Sequence, residues 1–270
     1  MNEMKKTISC IGCGTMGGAI LSGLAKTLSR DQYHLCGYNR TASKMAELEK
    51  LGIECLPSAV EAAKQADILI VGVKPHQIHQ VVDEAQSVLK EGVLLVSLAA
   101  GITLLKLTQV WGPQPNICRC MPTTTASVGS GIFALCFEEK FPEADRKLIL
   151  EIFGQLGRSM EIKEEMMTNF SALIGAGPAY VFQLMQALVQ AGITLGFTHA
   201  ESRDLVASLF AGAAHMAEAL PKPLMQMRDE VCSPGGLTIA GINVLDRSGI
   251  NGILIEAVLA ARARGKEMEK

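Results

Sequence analysis

The sequence GCGTMG, from Gly12 to Gly17, is the feature that most restricts how this chain can fold. Its glycines have the spacing G-x-G-x-x-G, and they lie between a predicted strand (Thr7 to Ile11) and a helix predicted to begin near Thr15. In that context the spacing is typical of a dinucleotide-binding turn. Gly12 permits the tight turn, Gly14 lets the backbone approach a diphosphate, and Gly17 lets the helix pack closely on the strand. A purely structural glycine turn is the alternative.

Strand and helix patterns alternate as far as about Lys163. Apolar runs such as DILIVGV (67–73) and GVLLVSLAA (92–100) predict parallel strands that are buried on both faces. We therefore predict an α/β fold, in which residues 1–163 form a Rossmann domain with a doubly wound parallel sheet. Residues 164–270 show only helical periods, which predict an all-α domain. The predicted strands are 7–11, 33–40, 52–56, 67–73, 92–100, 116–121, 130–137 and 158–162.

The helical part contains a stretch, GPAYVFQLMQALVQAGITLGF (177–197), that is apolar nearly all round. Such a helix is expected to be buried. A domain of this size offers little chain to bury it, so we expect a second copy to cover it in a homodimer.

Charge and composition exclude several classes of partner. The 25 basic and 27 acidic side chains nearly cancel and aromatic residues make up 4% of the chain, so we expect no nucleic-acid partner. No apolar run approaches the roughly 20 residues that span a bilayer, so no membrane partner is expected. The apolar stretch after Lys5 and Lys6 breaks at Gly12, which is too short for a signal peptide and predicts a cytoplasmic protein.

The end of the second predicted strand indicates which nicotinamide cofactor binds. NAD enzymes place an acidic residue there, on the adenosine ribose hydroxyls. This strand ends instead in Asn39 and Arg40, followed by Ser43 and Lys44. Arg40 can bind a 2′-phosphate with charge-assisted hydrogen bonds, so NADPH is the predicted cofactor and NADH the alternative. An ordinary solvated charge at a helix start is the other interpretation of Arg40.

The carboxyl ends of parallel strands line the ligand crevice of such a sheet, so residues at those ends join the predicted cofactor site. Small residues end the fifth strand, where a nicotinamide ring needs room. The complete predicted set comprises Gly12, Gly14, Thr15, Met16, Gly17, Asn39, Arg40, Val73, Lys74, Pro75, Ala99, Ala100, Gly101, Met121 and Pro122.

Two cysteine pairs admit a metal or redox interpretation. Cys10 and Cys13 form C-x-x-C, and Cys118 and Cys120 form C-x-C. Metal ligands usually lie on loops or knuckles, whereas these cysteines fall in predicted strands or in the glycine turn. We therefore expect buried, reduced thiols and no metal site.

A polar turn, VCSPGGLT (231–238), lies just ahead of an apolar helical run near the end of the sequence. This turn and several other segments resemble the pyrroline-5-carboxylate reductase family. The resemblance extends over the whole chain and is carried by GCGTMGGAI, NR, VKP, SLAAGI, RCMP, GAGPAYVF and DEVCSPGGLT. The last segment, continuing through VLDRSG, is the most specific, since many families share the glycine turn.

The resemblance implies reduction of the cyclic imine L-1-pyrroline-5-carboxylate to L-proline, with hydride from NADPH or NADH. It also implies a helical domain that pairs with its counterpart in another subunit, and decamers of five dimers are frequent in the family. By similarity, Thr238 faces the imine nitrogen, and Thr238 and Ser233 are the expected catalytic residues. The expected substrate-binding residues are Val231, Ser233, Gly235, Gly236, Leu237 and Thr238. A helix N-cap in which Thr238 is the capping residue is the alternative.

Three departures from the family pattern leave rival functions open. The family commonly has M-P-N-T-P where this chain has MPTTT (121–125), Thr168 replaces a common acidic residue, and Leu237 replaces a small residue or threonine. The alternatives that these departures leave open are a paralogue that reduces another cyclic imine and one that binds nucleotide with weak turnover. A β-hydroxyacid dehydrogenase is a further rival, but it relies on a lysine early in the helical domain. This chain has no lysine between Lys163 and Lys222.

Overall fold

The computed structural model describes residues 5–269 of the chain. Contacts divide the chain into two compact units. The first consists of the residues up to Ala176 together with the segment from Arg262 onward, and the second is Gly177–Ala261. The predicted domain boundary after Lys163 stays a prediction. Contacts place 164–176 in the first unit because part of this stretch packs on the sheet of that unit.

The first unit is built on an eight-stranded sheet with the order β3-β2-β1-β4-β5-β6-β7-β8. Because the strand order reverses next to β1, a crevice forms at the carboxyl ends of β1 and β4. This is the expected Rossmann arrangement. The strands are β1 Lys6–Ile11, β2 Tyr33–Tyr38, β3 Glu54–Cys55, β4 Ile68–Val71, β5 Leu94–Ser97, β6 Asn116–Pro122, β7 Gly131–Phe137 and β8 Gly157–Glu161.

One pair departs from the expected parallel sheet. β7 runs antiparallel to β6, whereas β8 returns parallel to β7. Only residues 123–130 connect β6 to β7, and a parallel crossover needs a dozen or more residues. The short connection therefore reverses the chain.

The core lies on both faces of the sheet, as the continuous apolar strands predict. In β4, Ile68 and Ile70 pack on one face while Leu69 and Val71 pack on the other, and none of the four is more than 1% exposed. Alternate residues of a strand point to opposite faces, so a strand buried on both faces needs apolar residues at every position.

Helices cover both faces of the sheet in the first unit. The helix that follows β4 is preceded by a 3₁₀ turn, Pro75–Gln77. The helices of this unit are α1 Thr15–Thr27, α2 Ala46–Glu49, α3 Ala59–Gln65, α4 Ile78–Ala85, α5 Leu104–Trp111, α6 Glu143–Gly154 and α7 Met167–Phe170. A π-helical turn, Ser171–Gly175, follows α7.

The second unit is entirely helical among its described residues, as predicted. Its helices are α8 Gly177–Thr194, α9 His199–Ala219, α10 Leu224–Glu230, α11 Leu237–Arg247 and α12 Ile250–Glu269, of which α12 ends in the first unit. In α8 only Val189 is buried, while Phe182 is 63% exposed. Most of the apolar surface of α8 is therefore exposed among the residues that the structure describes.

The helical run from Glu164 to Thr194 is long and apolar enough, by length and composition alone, to cross a membrane, so the expectation that no apolar run approaches this length was wrong. It is the one such run within residues 5–269. A single helix of this kind is weak evidence for a membrane span, because an apolar helix of a soluble protein has the same properties.

Candidate functional site

The glycine turn joins β1 to α1, and two of its glycines are required by close packing. Gly12 has φ +91°, and its N–H donates to the carbonyl of Tyr38 at 2.9 Å. A Cβ at Gly12 would lie 2.7 Å from Val73 Cγ1. A Cβ at Gly17 would collide with the carbonyl oxygen of Gly12. Packing within the protein therefore explains the first and third glycines of the motif without a ligand.

Gly14 differs from its neighbours because no packing requires it. A Cβ at this position would meet nothing within 4 Å. Gly14 is the N-cap of α1 and provides no side-chain capping hydrogen bond, so the first N–H groups of α1 stay available. Open space beside a bare helix N-terminus fits a diphosphate.

A cleft of about 640 Å³ lies along this turn and the carboxyl ends of the neighbouring strands. Its volume is within the roughly 300–1,000 Å³ usual for cofactor and ligand sites. Eleven of the fifteen predicted cofactor residues line the cleft: Gly12, Gly14, Thr15, Met16, Asn39, Arg40, Val73, Lys74, Pro75, Ala99 and Ala100.

The remaining four predicted cofactor residues lie elsewhere in the first unit. Gly101 and Met121 line a smaller neighbouring cavity. Gly17 lines neither cavity, in keeping with its packing role, and Pro122 ends β6 without lining either. Ala100 lines both cavities, so the two meet at the end of β5.

Basic side chains lie together at the β2 end of the cleft. Exposed Arg40 and Lys44 both contribute to its lining, and Asn39 Nδ2 donates to the carbonyl of Thr41 at 3.1 Å. This hydrogen bond fixes the turn that presents Arg40. Two cations without an acidic residue at the strand end suit a 2′-phosphate better than free ribose hydroxyls.

Sequence reasoning missed several polar residues of the cleft, among them Glu84 and Thr124. Glu84 lines it from α4 and accepts a hydrogen bond from Gln80 Nε2 at 2.9 Å. Thr124 lines it from the β6–β7 connection. The position of Thr124 just beyond a strand end was a usable signal, whereas the helical pattern of α4 gives no sign that Glu84 faces a ligand.

The altered loop after β6 is held by its own side chains. Thr123 is buried, and its hydroxyl accepts from the N–H of Ile132 at 2.9 Å and lies 2.8 Å from the hydroxyl of Thr125. The departure from the family pattern at these two positions thus provides internal hydrogen bonds. Only Thr124 of the three threonines reaches the cleft.

The second unit contains the predicted substrate turn. The N–H of Gly236 donates to the carbonyl of Ser233 at 3.0 Å, and Gly235 has φ +68°. Pro234 followed by a glycine of positive φ is the pattern of a type II turn. The turn leads into α11, whose N-cap is Gly236.

The start of α11 shows that Thr238 is not the N-cap of this helix, which was the alternative role for this residue. Thr238 is the second helical residue, so it does not occupy the capping position, and Gly236 makes no side-chain capping hydrogen bond. Ser233 and Thr238 are exposed, as are Val231, Gly235 and Leu237, the last at 96%. The turn therefore presents two hydroxyl groups and the first N–H groups of a helix, a combination suited to a small anion.

The four cysteines of the two pairs are buried. Cys10, Cys13, Cys118 and Cys120 are at most 3% exposed. A hydrogen bond with Cys13 and then burial raise the pKa of the Cys10 thiol, and burial raises the pKa of both Cys118 and Cys120. Buried thiols that stay protonated are poor nucleophiles and poor metal ligands. Within residues 5–269, no group of three or more His, Cys, Asp or Glu side chains could hold a metal ion.

Two family models match the chain. Residues 7–101 match one described as NADP oxidoreductase, coenzyme F420-dependent, and residues 164–268 match one described as pyrroline-5-carboxylate reductase dimerisation. The chain is 34% identical to pyrroline-5-carboxylate reductase from Escherichia coli (strain K12) over 268 residues, which cover 99% of this chain and 100% of the relative.

Two solved structures share the fold along the whole chain. A pyrroline-5-carboxylate reductase from Coxiella burnetii superposes with a TM-score of 0.90 at 33% identity, covering 98% of this chain and 99% of the other. Pyrroline carboxylate reductase from Plasmodium falciparum, solved with NADP bound, has a TM-score of 0.88 at 28% identity and covers 100% of both chains.

Proposed function

The chain belongs to the pyrroline-5-carboxylate reductase family, and from that premise we propose that it reduces L-1-pyrroline-5-carboxylate to L-proline with NADPH, the last step of proline biosynthesis. One observation carries the proposal. Its full-length similarity to these reductases includes both the glycine-turn cleft and the Ser233–Thr238 turn, so both parts that the reaction needs are present in one chain.

The cofactor fits the residues of the first unit. The open space at Gly14 and the N-terminus of α1 would hold the diphosphate, and Arg40 with Lys44 would hold the 2′-phosphate. Ala99, Ala100, Gly101 and Met121, which line the cleft or the cavity that meets it, would surround the nicotinamide end. When bound, NADPH supplies the hydride that reduces the imine carbon. NADH binds more weakly than NADPH in this proposal, because it lacks the phosphate that the two cations would bind.

The Ser233–Thr238 turn binds and orients the substrate. The N–H groups at the start of α11 and the Ser233 hydroxyl hold the single carboxylate, and Val231 and Leu237 flank the ring. The Thr238 hydroxyl accepts a hydrogen bond from the protonated imine nitrogen and keeps it oriented as the C=N bond becomes a single bond. The nitrogen retains its proton in the amine product, so the protein needs no strong base. Catalysis then rests on positioning the imine carbon for hydride transfer.

Steady-state oxidation of NADPH in the presence of L-1-pyrroline-5-carboxylate tests the function. We expect nicotinamide absorbance to fall at a rate proportional to enzyme concentration, with L-proline as the product. Faster turnover of another cyclic imine would identify a reductase of different specificity. Binding of NADPH without turnover of any cyclic imine would contradict the proposal and favour the nucleotide-binding paralogue.

Replacing Arg40 with alanine is expected to raise the KM for NADPH about 10- to 100-fold, the equivalent of losing one charge-assisted hydrogen bond of about 1.5–3 kcal/mol. The KM for NADH should stay within about twofold, because NADH has no 2′-phosphate. Steady-state kinetics with both cofactors measures the two effects. Lys147→Ala is the matched control, since it removes an exposed cation on α6 that pairs with Glu143 and does not line the cleft. Equal losses with both cofactors would remove Arg40 from phosphate binding.

The helical unit supports an oligomer, since it matches a dimerisation family. We propose a homodimer in which a second copy covers the exposed apolar faces of α8 and α9, and a decamer of five dimers as the larger assembly. Phe182, Leu205 and Leu209 are 56–63% exposed in one chain. Apolar surface of this kind is unfavourable in water and is typical of a protein–protein interface. A cytoplasmic location is part of the same proposal, with the apolar run that ends at Thr194 covered by protein rather than lipid.

Light scattering after gel filtration is expected to give at least twice the chain mass of 28.8 kDa at micromolar concentration. Phe182→Asp should lower that mass, because a charge placed in an apolar interface lacks a partner. Asp204→Asn, on an exposed position of α9, serves as the control. A monomeric mass for the unmodified chain would contradict the dimer.

A further inference from the structure

A buried arginine lies beside the nicotinamide end of the proposed site. The side chain of Arg119, on β6, is 4% exposed. Its Nη1 donates to Glu164 Oε1 at 2.7 Å, and the same carboxylate oxygen accepts from the N–H of Leu104. A buried guanidinium destabilises the fold unless nearby groups neutralise it.

A second carboxylate approaches this arginine from the end of α12. Glu269 Oε1 lies 3.9 Å from Arg119 Nη2 and accepts a hydrogen bond from Thr168 Oγ1 at 2.6 Å. The backbone carbonyl of Glu269 accepts from Lys106 Nζ, also at 2.6 Å. Glu269 is thus held in place by Arg119, Thr168 and Lys106, which are distant from it in sequence.

The segment Arg262–Glu269, the C-terminal segment, docks closely enough to bring that carboxylate in. A Cβ at Gly265 would lie 2.8 Å from Thr168 Cγ2, so the glycine permits the approach. Arg262 Nε donates to Asn169 Oδ1 at 2.6 Å. At the other end of the segment, a Cβ at Gly101 would lie 3.3 Å from the carbonyl oxygen of Met268. The segment therefore rests on the Gly101 turn.

This cluster and the proposed nicotinamide site share one cavity. Ala100, Gly101 and Met121, which we place around the nicotinamide end, line it together with Arg119 and Glu269. Gly101 has φ +75°, so the turn after β5 has a backbone shape that depends on its neighbours to stay fixed. A displacement of Glu269 would therefore move the Gly101 turn, which contacts Met268. It would also change the ion pair with Arg119 on β6.

We propose that Glu269 is a positioning residue of the reductase, whose carboxylate joins Glu164 in neutralising Arg119 and so fixes the Gly101 turn and the end of β6 at the nicotinamide end of the cleft. This inference rests on the placement of the nicotinamide under the proposed function. Because Thr168 donates to the Glu269 carboxylate, a carboxylate placed on residue 168 would lie next to that of Glu269 and close to Arg119.

Glu269→Gln tests the proposal, because it removes the charge and keeps the size of the side chain. We expect kcat to fall about tenfold while the KM for NADPH stays within about twofold, since the phosphates that dominate cofactor affinity lie at the other end of the cleft. Glu267→Gln is the matched control: this exposed carboxylate, also near the end of α12, pairs with Arg264 at 2.7 Å and does not line the cavity. It should leave kcat unchanged.

Returning the charge to position 168 provides the rescue. Thr168→Asp alone should lower kcat, because its carboxylate would stand against that of Glu269. The double variant Thr168→Asp with Glu269→Gln should recover most of the lost kcat. A merely structural role would lower Tm in step with kcat and would show no such reversal.

Hydrogen exchange in the cofactor-free protein gives a readout that needs no turnover. Amides of residues 98–104 should exchange about tenfold faster in Glu269→Gln than in the unmodified chain, and the double variant should restore slow exchange. Amides of β4 should not change. Unchanged exchange in residues 98–104, or a double variant no better than Glu269→Gln, would overturn the proposal even if the unmodified chain reduces the imine. An unmodified chain without turnover would overturn the proposed function, and the exchange data would still decide the role of Glu269.

Discussion

Replacing Thr238 with alanine is expected to lower kcat for imine reduction about 100-fold, which corresponds to about 2.7 kcal/mol of transition-state stabilisation. The hydroxyl is available for this role because Thr238 lies inside the first turn of α11 and Gly236, not Thr238, is the cap. The KM for NADPH should stay within about twofold, because the cofactor is held by residues of the first unit. Steady-state kinetics at saturating NADPH measures the effect.

Thr238→Ser is the matched control for this variant, since it keeps the hydroxyl and removes only a methyl group. It should retain most of the activity, which would assign the loss in Thr238→Ala to the hydrogen bond rather than to packing. Equal rates for Thr238→Ala and the unmodified chain would remove Thr238 from the mechanism. A rise in the KM for the imine with kcat unchanged would assign it to uniform substrate binding instead.

Gly14→Ala is expected to weaken NADPH binding at least about 100-fold while leaving the fold intact, because its methyl group would occupy the space where the backbone approaches the diphosphate. The backbone of Gly14 has φ −77°, which alanine adopts, and a Cβ there meets nothing within 4 Å. Titration of NADPH fluorescence measures affinity, and thermal unfolding measures stability. In this variant the affinity for NADPH should fall while the Tm stays unchanged.

Alanine variants of two other glycines in the first unit serve as comparisons for Gly14→Ala. Gly17→Ala should lose both binding and stability, because its Cβ would collide with the carbonyl of Gly12. Gly154→Ala should change neither, since its Cβ would make an ordinary contact with Ser159 Oγ at 3.4 Å, away from the cleft. Normal NADPH affinity in Gly14→Ala would show that the diphosphate does not lie against this turn.

The sheet and the cleft could be predicted because their determinants are local. A strand such as Ile68–Val71 is apolar at every position because both faces are buried, and that pattern is legible in the sequence. Strand ends such as Val73 and Ala99 line the cleft because parallel strands place their carboxyl ends at one edge. The topology then brings together residues that the sequence separates.

Two features of the first unit were not predicted, for different reasons. The reversal of β7 follows from the short connection between the predicted strands 116–121 and 130–137, which is a signal present in the sequence, whereas the contribution of Glu84 depends on how α4 is rotated against the sheet. The contacts of the C-terminal segment with the first unit also have no local signal. Lys106 and Glu269 are 163 positions apart, and no periodicity or motif in either stretch indicates that they meet.

The return of the C-terminal segment has a consequence for how this protein is divided in the laboratory. The first unit is discontinuous in sequence, because Gly177–Ala261 is interposed between its two parts. A nucleotide-binding fragment truncated at Ala176 would therefore lack Arg262, Gly265 and Glu269, and Arg119 would keep Glu164 as its carboxylate partner without Glu269. A faithful minimal version would join 5–176 to 262–269 through a short linker and omit the intervening helices.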